Sequence, residues 1–135
     1  MANLLENDIT GSIGTQKYLC KISWRNGEFL MDEAENISGK DIGPDPYTTL
    51  LASLAGCTLS TLRMYIDRKG WDIPEINIAL NMSQEISPEL ETTISRTISF
   101  STEITDEQKE RLLLIAEKCP VSKILKNKVT INTKL

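Results

Sequence analysis

The spacing of apolar and polar residues changes period several times along this chain, and each change marks an element. From Thr15 to Met31 the period is two: Tyr18, Cys20, Ile22 and Trp24 alternate with Leu19, Lys21 and Ser23, as in a half-buried strand. Asn26-Gly27 is a two-residue hairpin signal that turns this strand into a second one, with Arg25 at the turn. Residues Ala34 to Pro44 have no periodicity and contain Gly39, Gly43 and Pro44, which reads as a loop.

Asp45-Pro46 then supplies an N-cap followed by proline at the first helical position, and the helix runs to Gly70 with Arg68 and Lys69 in its last turn. Its length is roughly 36 Å at 1.5 Å per residue. Ala52, Gly56 and Ser60 recur every four residues, and Ser53, Cys57 and Thr61 do the same beside them. One broad stripe of the helix therefore carries only small side chains, and close approach of another segment is expected there. Leu51, Leu54, Leu62 and Ile66 on the other side form ordinary core.

After Pro74 the period returns to two. Ile76, Ile78, Leu80 and Met82 make one half-buried strand; Ile94, Ile98, Phe100 and Ile104 make another, joined to the first by a loop containing Pro88. Thr105 and Gln108 have the spacing of a capping box, and Leu112, Ile115, Ala116 and Cys119 follow the helical rule behind it. Pro120 opens a short helix to Leu125, and Val129 to Leu135 alternates as a final strand. The sum is an α+β fold with an antiparallel sheet and a long central helix. At 135 residues the chain is expected to be one domain, 1–135, with no internal boundary.

Composition narrows the function. Fifteen Lys and Arg against nineteen Asp and Glu give a net charge of -4, which is no footprint for a phosphate backbone, so no nucleic-acid partner is expected. No apolar run approaches the about 18 residues of a membrane span, and the first residues lack a basic segment followed by an apolar one. A cytoplasmic protein with no membrane partner is the expectation.

The three cysteines include no C-x-x-C pair, which argues against a secreted disulfide scaffold. The absence of histidine removes the usual general base and most zinc sites with nitrogen ligands, so no metal and no cofactor are expected. Chemistry must run on cysteine, carboxylate or arginine. Cys57, on the small-residue stripe, reads either as a buried core cysteine or as a thiol with room and polar neighbours around it. Cys119 precedes Pro120, so it is either an N-cap whose thiolate the free amides favour, or the apolar end of the preceding helical stripe. Arg25 is either a solvated turn residue or a fork of donors for an anion. Cys20 receives no role; Arg63, Arg68, Arg96 and Arg111 are read as solvated surface residues, and Asp32-Glu33 as a solvated end to the hairpin.

Gly43-Pro44-Asp45-Pro46-Tyr47, Leu50-Leu51-Ala52-Ser53-Leu54-Ala55-Gly56-Cys57-Thr58, Met64-Tyr65 and Arg68-Lys69-Gly70-Trp71 resemble the OsmC/Ohr family of osmotically induced and organic-hydroperoxide-resistance proteins. Cys119-Pro120-Val121-Ser122 is similar to that family's second cysteine motif, and Trp24-Arg25-Asn26-Gly27 to its hairpin. The likeness covers nearly the whole chain in the expected order. It implies the OsmC-like fold in an intertwined homodimer with active sites at the subunit interface. It also implies a thiol-dependent peroxidase for organic hydroperoxides, in which Cys57 is the peroxidatic nucleophile, Cys119 the resolving thiol and Arg25 the group that holds Cys57 as thiolate. Turnover would pass through a Cys57 sulfenic acid and a Cys57–Cys119 disulfide, reopened by an external dithiol. Leu50, Leu54 and Ile42 would line the approach to the sulfur. The chain departs from the pattern after Pro46, where many peroxidase members carry a glutamate and this one has Tyr47, Thr48 and Thr49. The alternative is an OsmC-like homodimer that binds or senses redox state with little or no turnover.

Overall fold

The computed structural model describes residues 1–135. They form two compact units, Met1–Leu50 and Leu51–Leu135.

The amino-terminal unit is built on an antiparallel sheet in the order β1 (Thr10–Ile13), β2 (Cys20–Trp24), β3 (Gly27–Met31). The hairpin turn falls one residue earlier than the Asn26-Gly27 signal suggests: Arg25 and Asn26 form it, and Gly27 already pairs with Trp24. A Cβ on Gly27 would lie 3.4 Å from the Trp24 indole, so the tryptophan lies across the ladder from it in ordinary contact. Strand β1, Thr-Gly-Ser-Ile, was not foreseen. All four of its residues are exposed, and an edge strand with no buried face has no hydrophobic alternation to reveal it.

Asp32 corrects a second expectation. It is buried, at 2 % exposure, and its carboxylate accepts backbone N–H groups from Tyr18, Glu33, Lys40 and Ile42 at 2.8 to 3.2 Å. The loop after β3, with a single 3-10 turn at Glu35–Ile37, cannot pair the Glu33, Lys40 and Ile42 amides in a ladder and satisfies them, together with that of Tyr18 ahead of β2, on one side chain. Gly39 and Gly43 permit the wrap, because a side chain at either would collide with the backbone of Glu33 or Leu30.

Helix α1 (Pro46–Lys69) begins and ends where the sequence places it. The Thr49 amide reaches the Asp45 carbonyl at 2.9 Å, and Gly70, at φ +68°, lets the Trp71 amide return to the Ile66 carbonyl at 3.1 Å. Its buried line is Leu54, Thr58, Leu62, Tyr65 and Ile66. By length and composition α1 is also long and apolar enough to cross a membrane, which corrects the expectation that no segment reaches that size. Ala52, Ser53, Gly56 and Ser60 are exposed, and nothing stands within 4 Å of a Cβ placed on Gly56, so the Ala52-Gly56-Ser60 row of the stripe is uncovered, whereas Cys57 and Thr61 beside it are half-buried.

In the carboxyl-terminal unit β4 (Ile76–Glu85) and β5 (Glu91–Phe100) form an antiparallel pair, with Ile78 opposite Ile98, Leu80 opposite Arg96 and Met82 opposite Ile94. The capping box closes as expected: Gln108 N–H donates to the Thr105 hydroxyl at 3.1 Å and Thr105 N–H to the Gln108 side chain at 2.9 Å, opening α2 (Asp106–Glu117). Helix α3 (Pro120–Lys126) follows. Leu62, Tyr65, Ile66 and Ile73 meet Leu112, Ile115 and Ala116 in the core, with Ile98, Phe100 and Ile104 packed against it. The antiparallel pairing and long helix give the expected α+β architecture. The final strand does not form: residues 127–135 have no regular structure, and Val129 and Ile131 are exposed, because alternation makes a strand only where a free edge accepts it.

Candidate functional site

Two thiols distant in sequence meet where α1 faces the start of α3. Cys57 lies on α1 and is half-buried; Cys119 is the N-cap of α3 and is fully enclosed. Consecutive amides address the two sulfurs. Val121 N–H points to Cys57 Sγ at 3.5 Å, and Ser122 N–H donates to Cys119 Sγ at 3.4 Å. Cys-Pro-Val-Ser creates this geometry locally: proline fixes the first helical φ and lacks an N–H, so the next two amides are the free ones. Both readings of Cys119 are therefore realised, since it caps α3 and is also part of the apolar interior.

Cys119 Sγ has two further neighbours, the Ser122 hydroxyl at 3.3 Å and the Thr58 hydroxyl at 3.8 Å. Thr58 and Ser122 are themselves buried, and one cation joins them: Arg96 Nη1 donates to Thr58 Oγ1 and to Ser122 Oγ, each at 2.8 Å. Its other nitrogen pairs with Glu117 at 3.5 Å, and Glu117 also pairs with Lys126. Arg96 is 13 % exposed, which corrects its reading as a solvated surface residue. The signal was in the strand parity, since Arg96 falls between Ile94 and Ile98 on the inward face of β5. A cation on an otherwise apolar face points to a buried partner.

The surroundings split the two thiols. Burial pushes both up. At Cys57 this prevails, aided by the neighbouring Cys119 and only partly offset by the Val121 amide and the Thr61 hydroxyl, so its pKa lies above the ordinary value. At Cys119 the Ser122 hydroxyl and amide, with Cys57 and Thr58, outweigh burial and bring the thiol down to about 7. Beside the network lies a cavity of about 500 Å³ lined by Leu54, Ile94, Arg96, Ser122, Leu125 and Lys126.

Arg25 belongs to the amino-terminal unit, where its guanidinium lies 5.3 Å over the Trp24 ring. Leu50 and Ile42 are exposed residues of that unit, and Cys20 is half-buried in its sheet. No cluster of three or more His, Cys, Asp or Glu side chains is arranged to hold a metal ion.

The family model described as OsmC-like protein matches residues 39–134, a stretch that contains both thiols and the whole Arg96 network. The chain belongs to the OsmC-like family. Solved structures agree with this assignment in fold. An osmotic-stress-induced and detoxification response protein described for Psychrobacter arcticus 273-4 is 19 % identical over 92 % of this chain and 91 % of that one, with a TM-score of 0.76. An organic hydroperoxide resistance protein OsmC from Legionella pneumophila is 14 % identical over 93 % and 92 %, TM-score 0.69. The organic hydroperoxide resistance protein OhrB of Bacillus subtilis is 18 % identical over 92 % and 93 %, TM-score 0.66. A search of curated proteins finds no match. Within the OsmC-like fold, then, this chain brings together two cysteines and a half-buried arginine.

Proposed function

We propose that this OsmC-like chain is a thiol-dependent peroxidase that reduces organic hydroperoxides, acting as a cytoplasmic homodimer of one-domain subunits without cofactor or metal. The observation that carries the reading is the pair of adjacent amides, Val121 and Ser122, each directed at one of two neighbouring thiols. Cys57 is the sulfur a peroxide can reach. Its attack breaks the O–O bond and gives Cys57 sulfenic acid and an alcohol; Cys119 then displaces water to form the disulfide, and an external dithiol restores both thiols. With a pKa of about 7, Cys119 is poised to accept the Cys57 proton as the attack proceeds. The preference for an organic over an inorganic peroxide rests on the family likeness. The exposed row Ala52, Gly56 and Ser60 of α1 suits a second copy of the helix, with Cys57 left at the edge of that contact. To Arg25 the family likeness assigns the holding of Cys57 as thiolate, a role that Arg25→Met tests by slowing sulfenic acid formation.

A second reading has one observation in its favour, the upward shift of the Cys57 thiol, which suits a slow redox sensor or binding homodimer. Mixing the reduced protein with cumene hydroperoxide separates the two. Loss of two thiols per chain within minutes, abolished in Cys57→Ser, is the outcome for a peroxidase; no loss over hours removes it.

A further inference from the structure

Building on the two-thiol reading above, we propose that Arg96 is a positioning residue that prepares Cys119 to depart as a thiolate, so that the dithiol reopens the Cys57–Cys119 bond by attacking Cys57 and not Cys119.

A guanidinium only donates. Because Arg96 Nη1 donates to both Thr58 Oγ1 and Ser122 Oγ, each hydroxyl has a lone pair occupied and must send its single hydrogen elsewhere. Thr58 has the Leu54 carbonyl at 2.7 Å, much nearer than the sulfur at 3.8 Å, so its hydrogen goes mainly to the carbonyl and assists Cys119 least of the neighbouring groups. Ser122 has Cys119 Sγ at 3.3 Å and donates to it. The arginine thereby fixes the direction of a bond that a free serine could make either way. Ser122 then presents both its hydroxyl and its amide to one sulfur, and hydrogen bonds to the charged form favour it. Arg96 from β5, Glu117 from α2 and Lys126 from α3 are the charged groups of the network.

Exposure points the same way. Cys119 is fully enclosed, whereas Cys57 is only half-buried and is the more exposed of the two. In the exchange, the dithiol's thiolate bonds to Cys57 Sγ as the Cys57–Cys119 bond breaks, and the electron pair goes to Cys119. The second thiol of the reductant loses its proton and attacks its own sulfur in the mixed disulfide. Cys57 is released as thiolate and the reductant is oxidised by two electrons to a cyclic disulfide. Departure is faster the more acidic the leaving thiol, and the thiol at about 7 is the enclosed one.

The test uses the full chain oxidised with diamide, so that it does not depend on peroxide chemistry. Limiting glutathione is added, the reaction is quenched, free thiols are alkylated and peptides are weighed. Glutathione on Cys57 with the alkyl group on Cys119, in about tenfold excess over the reverse, is the result expected. An even mixture or the reverse pattern overturns the proposal, as does failure of diamide to join the two cysteines. For the role of Arg96, thiolate ultraviolet absorbance is titrated in a Cys57→Ser background. Arg96→Met is expected to cut the Cys119 thiolate at pH 7 roughly fifteenfold, as its pKa returns toward about 8.5, while Arg96→Lys recovers most of it. Should Arg96→Met not fold, Ser122→Ala removes the oriented hydroxyl alone and is expected to lower the thiolate severalfold. An unchanged titration in the folded variant overturns the positioning role. Inertness toward peroxide combined with glutathione on Cys57 removes the peroxidase reading and supports this one.

Discussion

Each unit of the molecule encloses one charged side chain that organises its surroundings, and the two do so in opposite senses. Asp32 collects: four backbone N–H groups of the amino-terminal unit converge on its carboxylate, and every one of them would otherwise be unpaired. Arg96 distributes: its donors go to two side-chain hydroxyls and a carboxylate of the carboxyl-terminal unit, and one of those hydroxyls ends on a sulfur. The partners of Asp32 are chemically inert amides, so its role ends at shaping a loop. The partners of Arg96 include a titratable thiol, so the same kind of enclosed charge acquires a consequence for reactivity. What distinguishes a structural charge from a chemical one is the group at the far end of its hydrogen bonds.

The sharpest way to break this contrast is Arg96→Met. Two buried hydroxyls lose a charged donor, and an expected loss of about 2–3 kcal/mol follows from the usual cost of hydrogen bonds to charged groups. A denaturant midpoint measures it, with the fall in Cys119 thiolate as the companion reading. If stability falls while the thiolate is unmoved, Arg96 is a second Asp32 and the contrast fails.

Asp32→Asn comes next. The amide keeps one acceptor oxygen but puts an NH₂ group where the carboxylate received half of its donors, so at least two of the four loop amides lose their partner. Hydrogen exchange at Tyr18, Glu33, Lys40 and Ile42 is expected to accelerate, and the thiol titration serves as the control that separates the two charges. Unchanged protection at all four amides would show that the loop holds itself.

How far this contrast is visible in the chain alone depends on where each signal resides. Local rules carry the helices: Asp45-Pro46, Gly70, the Thr105–Gln108 box and Cys119-Pro120 each decide their element within a few residues, and all four stand in the structure. The two cysteines were legible for the same reason, because the Cys-Pro-Val-Ser cap is a local device. Arg96 and Asp32 were missed because their partners lie far off in sequence. Thr58 is 38 residues from Arg96, and Ile42 is 10 residues from Asp32 across a loop without periodicity. Arg96 had a trace in its strand parity, whereas Asp32, beside the hairpin end, had none. The expected final strand from Val129 to Leu135 failed in the converse way, since its pattern was local but its partner edge was not.

Titration offers a gentler test. Burial raises the Asp32 carboxyl, but the amides of Glu33, Ile42, Tyr18 and Lys40 outweigh it and hold the group below the ordinary value of 3.8. A lowered folded pKa contributes stability in full above the unfolded value, and that contribution is lost as pH falls through the folded one. For Asp32 the loss therefore lies on the acid side of 3.8. Cys119 obeys the same sign in another window: its contribution is complete above about 9 and disappears as pH falls through about 7. Unfolding measured across pH in wild type and in Cys119→Ser is expected to differ in slope between about 7 and 9 and to run parallel below. Parallel curves throughout would mean that the enclosed thiol is not held as an anion.

The smallest effect expected is that of Glu117→Gln, and its smallness is informative. Glu117 is 54 % exposed and pairs with both Arg96 and Lys126. Ion pairs so open to water are worth about 0–1 kcal/mol, so the denaturant midpoint should shift by a few tenths of a kcal/mol at most. Arg96 would keep its bonds to Thr58 and Ser122, and with them the direction of the Ser122 hydroxyl. The Cys119 titration is therefore expected to stay where it is. A marked shift on removing this carboxylate would show that Arg96 is held by Glu117 rather than by the two hydroxyls. The chemistry of the thiol would then be governed from the solvent-exposed edge of the network instead of from its enclosed centre.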